Sequence, residues 1–310
     1  MTTTSLTPPA TRQAVSPNPR RRRARRDWRG WAFVAPFLVV FAAMIIAPVL
    51  YAIYLSLFRQ QLIGGNAFVG LGNYIAVFQD AKFWESLGRV SVFLVIQVPI
   101  MLAISLIAAL ALDSARLHGS GFFRIALFLP YAVPGVVAAL IWGFIYGDQF
   151  GLTASVNQLL GTSLAPLSGS WILGSIGNIV TWEFMGYNML IFYAALRVIP
   201  GELYEAAEID GAGAFRQVWS IKIPAVRGAI VIATIFSIIG SFQLFNEPNL
   251  LKVIAPNAIS SYFTPNMYAY NLSFAGQQFN YAATVAIVMG VITAVIAYVV
   301  QLRGSRKEVR

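Results

Sequence analysis

Ile199-Pro-Gly-Glu-Leu-Tyr-Glu-Ala-Ala-Glu-Ile-Asp-Gly-Ala-Gly-Ala-Phe-Arg-Gln-Val-Trp-Ser-Ile-Lys-Ile-Pro224 is a polar insert between two apolar runs. Pro200 suits the first position of a helix, and Glu202 and Glu205 fall in the first turns, where the helix dipole favours acids. Gly211 and Gly213 then stop that helix. Leu203, Ala206, Ala207 and Asp210 recur at helical spacing, and Phe215, Val218, Trp219 and Lys222 repeat the pattern before Pro224 turns the chain. The segment therefore predicts two short helices with a tight bend between them. One reading lays this hairpin on lipid headgroups. The other makes it a docking knob, because the small Ala206 and Ala207 face permits close approach of another backbone and Glu205 offers a charge to a partner.

The runs on either side, 172–196 and 229–245, are apolar, and four more lie at 31–58, 90–112, 125–145 and 282–302. A hydrocarbon core about 30 Å thick is crossed by about 20 helical residues. Only helices fit, because backbone groups in lipid must be satisfied within the segment. The composition agrees: of 310 residues 58% are apolar, 14% aromatic and 11% charged, with a mean hydropathy of +0.68, against roughly 25% charge in a soluble domain. The expected class is an all-α integral membrane protein with six transmembrane helices. The first run is too long and too interrupted, by Pro36 and Pro48, for a cleaved signal peptide and reads as a retained signal anchor.

Lysine and arginine set the orientation. With the N-terminus inside, eighteen of the 22 basic residues fall on the cytoplasmic side, and only Arg59, Lys82, Arg89 and Lys252 fall opposite. The positive-inside rule then places both termini in the cytoplasm. The arginines from Arg20 to Arg26 stand directly before a span, where attraction to anionic lipid explains them, so membrane lipid is the expected partner and nucleic acid is not. Residues 1–29 read as a disordered basic cytoplasmic tail, 30–303 as the transmembrane domain with its cytoplasmic loop at 199–225, and 304–310 as a second cytoplasmic tail.

Several chemistries drop out. The chain has no cysteine, which excludes disulfides, thiolate metal sites and cysteine nucleophiles. The single histidine, His118, reads as a solvated loop residue, and no metal site and no catalytic residue are expected. Gly-x-x-x-x-Gly-Lys-Ser/Thr is absent, so the chain has no phosphate-binding loop of its own. Polar groups inside spans are costly and therefore mark candidate sites. Glu183, Tyr187 and Asn188 cluster in the fourth span beside Trp182, which is assigned to packing. Ser237, Ser241 and Gln243 lie near helical spacing in the fifth, followed by Asn246 and Glu247. Each serine could instead bond its own helix or a neighbour, and Glu183 could be a buried acid paired across helices. Arg197 can snorkel to the interface and is given no role. The outer segments 146–171 and 246–280 are long for simple connections, which favours an interaction role.

Glu205-Ala206-Ala207, Asp210-Gly211-Ala212, Ile221 and Pro224, at this spacing in a loop before the penultimate span, resemble the EAA loop of inner-membrane permeases of binding-protein-dependent ABC importers. Phe68-Val-Gly-Leu-Gly-Asn-Tyr74 with Phe83-Trp84, Leu129-Pro-Tyr-Ala-Val-Pro134, Phe245-Asn-Glu-Pro248 and Gln278-Phe-Asn-Tyr-Ala-Ala283 are similar to its carbohydrate branch, the maltose, oligosaccharide and glycerol-phosphate permeases. Two departures stand out: Ile223 replaces the usual Leu, and Gly228 a common second Pro. The resemblance implies a type I ABC importer permease fold in a bacterial inner membrane. It also implies a second homologous permease, as a heterodimer, with two ATP-binding cassette subunits that hold the ATP and magnesium and an extracytoplasmic sugar-binding protein. No cofactor is expected on this chain itself. Glu205, Ala206, Ala207, Asp210, Gly211, Ile221 and Pro224 would seat on the ATPase. The family places sugar contacts on the fourth and fifth spans, where Tyr187 and Ser237 match approximately. Aromatic faces suit the C–H surfaces of pyranose rings, and Asn, Gln and Ser suit their hydroxyls.

A permease for glycerol 3-phosphate is an alternative, although the spans carry no Lys or Arg near their middle to meet a phosphate. An ion-coupled transporter using Glu183 is a rival of another class, and it leaves the 199–225 loop unexplained.

Overall fold

The computed structural model describes residues 28–61, 65–114 and 117–305. The basic tail before Trp28, Arg116 and residues 306–310, which enter the charge argument, lie outside the described residues. The chain divides into two units, residues up to 49 and residues 50–310.

The first unit holds α1 (Trp28–Phe41), a π-helical turn (Ala42–Ile46) and the start of α2 (Ala47–Ser56), which runs on past residue 49. Pro48 explains the turn: its ring collides with the carbonyl four residues back, so the ladder widens and the Ala47 N–H donates to Ala42 O, five residues back. The Phe37 and Phe41 rings stack one helical turn apart, with centroids 5.8 Å apart.

The second unit continues with an antiparallel hairpin of β1 (Phe58–Gln61) and β2 (Gly65–Phe68), in which Phe58 faces Phe68. It is tied to α3 (Gly72–Gln79) by buried Asn73, whose amide donates to Ser56 O at 2.8 Å and Phe58 O at 2.7 Å. Next comes α4 (Ala81–Leu112), which starts earlier than the apolar run because the Asp80 carboxylate caps it, accepting the Lys82 N–H at 2.9 Å. The third predicted span is not a straight helix. It consists of α5 (Ser120–Phe128), a 3-10 turn (Leu129–Ala132) and α6 (Gly135–Ile145), bent by 96°. Pro130 and Pro134 impose that corner, each removing an amide from the ladder.

After α7 (Leu152–Leu160), α8 (Ile172–Leu196) matches the predicted fourth span. The polar insert forms α9 (Glu202–Ile209), α10 (Ala214–Gln217), a π-helical turn (Val218–Lys222) and α11 (Ile223–Ala225). Pro200 lies two residues before α9 rather than at its first position. A 62° bend leads into α12 (Arg227–Phe242), which stops short of residue 245. The segment 246–280 is no open loop: α13 (Asn246–Ile254) and α14 (Pro265–Phe274) precede α15 (Phe279–Ser305). Thr264 caps α14, accepting the Met267 N–H at 3.2 Å. Among the described residues four continuous helices are long and apolar enough to span a membrane, and there are up to six if each bent pair is one span.

Around α4 and α8 the second unit has three apolar clusters. One joins Ile176 and Ile179 to Leu251, Ile259, Phe263 and Met267, so the polar-looking 246–280 segment owes its fold to its own buried apolar residues. Another packs Leu112 with Met189, Phe192 and Val226, and the third packs Val77, Phe83 and Val90 with Phe242 and Val285. Hydrogen bonds lace α4 to α8: Ser105 Oγ donates to Met185 O at 3.0 Å and Gln97 Nε2 to Thr181 Oγ1 at 3.2 Å. At Gly186 the chains nearly touch, since a Cβ there would lie 1.9 Å from Leu127 O.

Candidate functional site

A cavity of about 400 Å³ lies between α4, α8, α12 and the start of α13. Seven of the eight residues singled out from the sequence line it: Tyr187 and Asn188 from α8, Ser237 and Ser241 one turn apart on α12, Gln243 just past its end, and Asn246 and Glu247 opening α13. Glu183 does not line it. It is 4% exposed and sits behind Glu247. A Cβ on Gly135 would be 3.4 Å from Glu183 Oε1 and 3.9 Å from Glu247 Oε1, so both carboxyls reach the start of α6. Glu183 Oε2 has no hydrogen-bond partner among the described residues.

Two polar donors in the wall are already used by their own helices. Ser241 Oγ donates to Ser237 O at 2.8 Å and Asn188 Nδ2 to Phe184 O at 3.0 Å, which leaves their side-chain oxygens as acceptors. The sequence reading missed Tyr131 and Gln97. Tyr131, in the 3-10 turn, stacks on Tyr187 with centroids 4.8 Å apart and planes 16° apart, making a two-ring platform. Gln97 stands inside an apolar span, so the argument used for the fourth and fifth spans would have found it. Trp182 packs edge-on against Trp142 at 5.9 Å, a packing contact as expected. Apart from Glu247 the lining carries no charge, and its aromatic faces with scattered amides and hydroxyls suit a neutral, hydroxyl-rich solute.

The 199–225 loop forms the predicted bent hairpin. Gly211 takes φ +75° after α9, its N–H donating to Glu208 O at 3.0 Å while the Ala212 N–H donates to Ala207 O at 2.8 Å. This is a Schellman cap, which needs the left-handed conformation glycine adopts freely. Glu205, Ala206, Asp210 and Gly211 are exposed and Ala207 is half-buried. Ile209, Phe215 and Trp219 are 88%, 78% and 59% exposed, an apolar surface beside the acids. Ile221 and Pro224 are half-buried. No residue of this loop lines the cavity.

The family model described as binding-protein-dependent transport system inner membrane component matches residues 69–306. The chain belongs to that family. The permease is 34% identical over 282 residues to the lactose transport system permease protein LacF of Rhizobium radiobacter, covering 88% of this chain and 92% of that one. It is 32% identical over 303 residues to the diacetylchitobiose uptake system permease protein NgcF of Streptomyces coelicolor, covering 92% and 85%. Its fold matches the crystal structure of a bacterial ABC transporter involved in the import of the acidic polysaccharide alginate, with a TM-score of 0.79 at 19% identity over 91% of this chain and 96% of that one. The permease is thus a multi-pass inner-membrane protein with the type I ABC importer permease fold, a translocation subunit and not an enzyme.

Proposed function

We propose that this permease forms half of the translocation pathway of an ATP-driven importer for a neutral di- or oligosaccharide. The observation that carries the reading is the cavity at Tyr187, whose stacked rings and uncharged polar groups suit pyranose faces and hydroxyls. The lactose and diacetylchitobiose systems named above point to the same solute class. A phosphorylated solute such as glycerol 3-phosphate would meet Glu247 and no cation in the cavity lining. Family membership favours nucleotide-driven transport over ion coupling through Glu183.

In this reading six spans place both termini in the cytoplasm, as the 18-to-4 split of basic residues requires. Glu205, Ala206, Ala207, Asp210 and Gly211 dock with a partner ATPase that binds ATP and magnesium, while Ile221 and Pro224 lead the hairpin back into the bundle. The outer segments 146–171 and 246–280 receive an extracytoplasmic binding protein. A second, homologous permease completes the pathway. The test is ATPase activity of the complex purified through a tag on this chain, with its binding protein and a panel of sugars. Sugar-stimulated hydrolysis with a phosphate-loop subunit present supports the reading. A chain that purifies alone and moves solute in ATP-free liposomes sinks it.

A further inference from the structure

Asp113 and Lys222 are 109 residues apart in the chain, yet Lys222 Nζ lies 2.5 Å from Asp113 Oδ2. Their side chains are only 8% and 14% exposed. Asp113 caps the C-terminal end of α4, the helix that brings Gln97 and Met101 to the cavity. Lys222 closes the π-helical turn that follows α10. Tyr204 of α9 adds a third contact, its ring centroid 5.3 Å from Lys222 Nζ. Burial, and secondarily the negative charge of Asp113, push the Tyr204 hydroxyl above its ordinary pKa of 10.0, so it stays neutral beside the pair.

The chain ties the exposed hairpin directly to α8 and α12, but not to α4. The ion pair is what joins it to α4 by charge. The other ion pair among the described residues, Arg89 with Glu85, is a local contact one turn apart on α4. A buried ion pair adds little stability over an apolar replacement, because desolvation offsets the attraction. What it fixes is position. A π-helical turn, often found at functional sites, sets Lys222 at the required place.

We propose that Asp113 and Lys222 are positioning residues that transmit movement of the hairpin to α4, and through α4 to the cavity. This rests on the reading of 199–225 as the ATPase-docking loop. The ATPase would press on the face carrying Ile209, Phe215 and Trp219, and the ion pair would pass the displacement to a helix of 32 residues.

The experiment uses the whole complex, with binding protein and ATPase, in proteoliposomes. Asp113→Asn alone leaves Lys222 buried without its counter-charge, so the informative variant is the double Asp113→Asn, Lys222→Met, which removes both charges. The double variant is expected to keep wild-type thermal stability and to co-purify with the ATPase. Its sugar transported per ATP hydrolysed should fall about tenfold, the size of a typical coupling between sites. Lys222→Arg, which keeps the charge, should stay near wild type. A double variant with the wild-type ratio would make the pair a structural contact only and overturn the proposal by itself. A wild-type chain that retains no ATPase overturns the docking reading, and this proposal with it.

Discussion

Gly211 is the residue whose backbone most constrains the 199–225 hairpin. At φ +75° an alanine costs about 1 kcal/mol and a proline cannot reach the angle at all. Gly211→Pro is therefore expected to leave ATP hydrolysis without sugar uptake, read by comparing the two rates in the reconstituted complex; full transport would refute the coupling role. Tyr187 offers a second test at this scale. Tyr187→Ala removes one ring of the pair with Tyr131, and the apparent affinity for sugar should fall about tenfold while ATPase binding is unchanged. Five cavity residues, Tyr187, Asn188, Ser237, Ser241 and Gln243, were legible because a polar side chain in an apolar run stands out without any knowledge of the fold, and Asn246 and Glu247 follow directly on the fifth run. Tyr131 was not, since it lies in the run at 125–145 that reads as one span, and its place on the wall comes only from the corner that Pro130 and Pro134 make. The Asp113–Lys222 pair could not be read either, as no local spacing links residues 109 positions apart.

At the scale of elements, α8 packs closely against α5 at Gly186. Gly186→Ala would place a methyl 1.9 Å from Leu127 O, a backbone atom that cannot rotate away. The two helices must separate, at about 1–3 kcal/mol. A lower Tm of the detergent-solubilised complex would show it, whereas an unchanged Tm would mean that α5 shifts freely. The apolar runs predicted α4, α8 and α15 well because hydropathy alone decides a straight helix in lipid. Hydropathy does not register direction, which is why the run at 125–145 concealed a right-angled corner. It also undervalued 246–280, where Asn, Ser and Pro on the surface masked the buried Leu251, Ile259, Phe263 and Met267, although Thr264-Pro265 is a recognisable helix start.

For the whole molecule, one junction outside the cavity draws α3, α4, α14 and α15 together. Asp80 Oδ2 accepts Tyr268 Oη–H at 2.5 Å and Tyr281 Oη–H at 2.9 Å. Burial pushes the Asp80 carboxyl up, but these two bonds and the Lys82 and Phe83 amides together outweigh it and hold the group below its usual 3.8. The folded pKa is thus below the unfolded one. The Asp80 contribution is present above pH 3.8 and is lost as pH falls through the folded value. Asp80→Asn, which turns an acceptor into a donor facing two hydroxyls, should destabilise the complex by about 1–3 kcal/mol at pH 7. The gap between variant and wild type should stay constant from neutral pH down to about pH 5 and narrow in stronger acid, measured as Tm against pH. A gap that widened on acidification would contradict the assignment.

The corner between α5 and α6 has one more consequence. Pro130 and Pro134 have no amide hydrogen, so this bend is fixed by two pyrrolidine rings as well as by the Val133 N–H, which donates to Pro130 O at 3.0 Å. At those two residues the bend gives no signal in amide exchange, so its opening would be read at the Val133 amide, which closes the 3-10 turn on Pro130 O. A pathway that opens and closes past such a corner would do so by swinging rigid arms, with the elbow itself set when the chain is made.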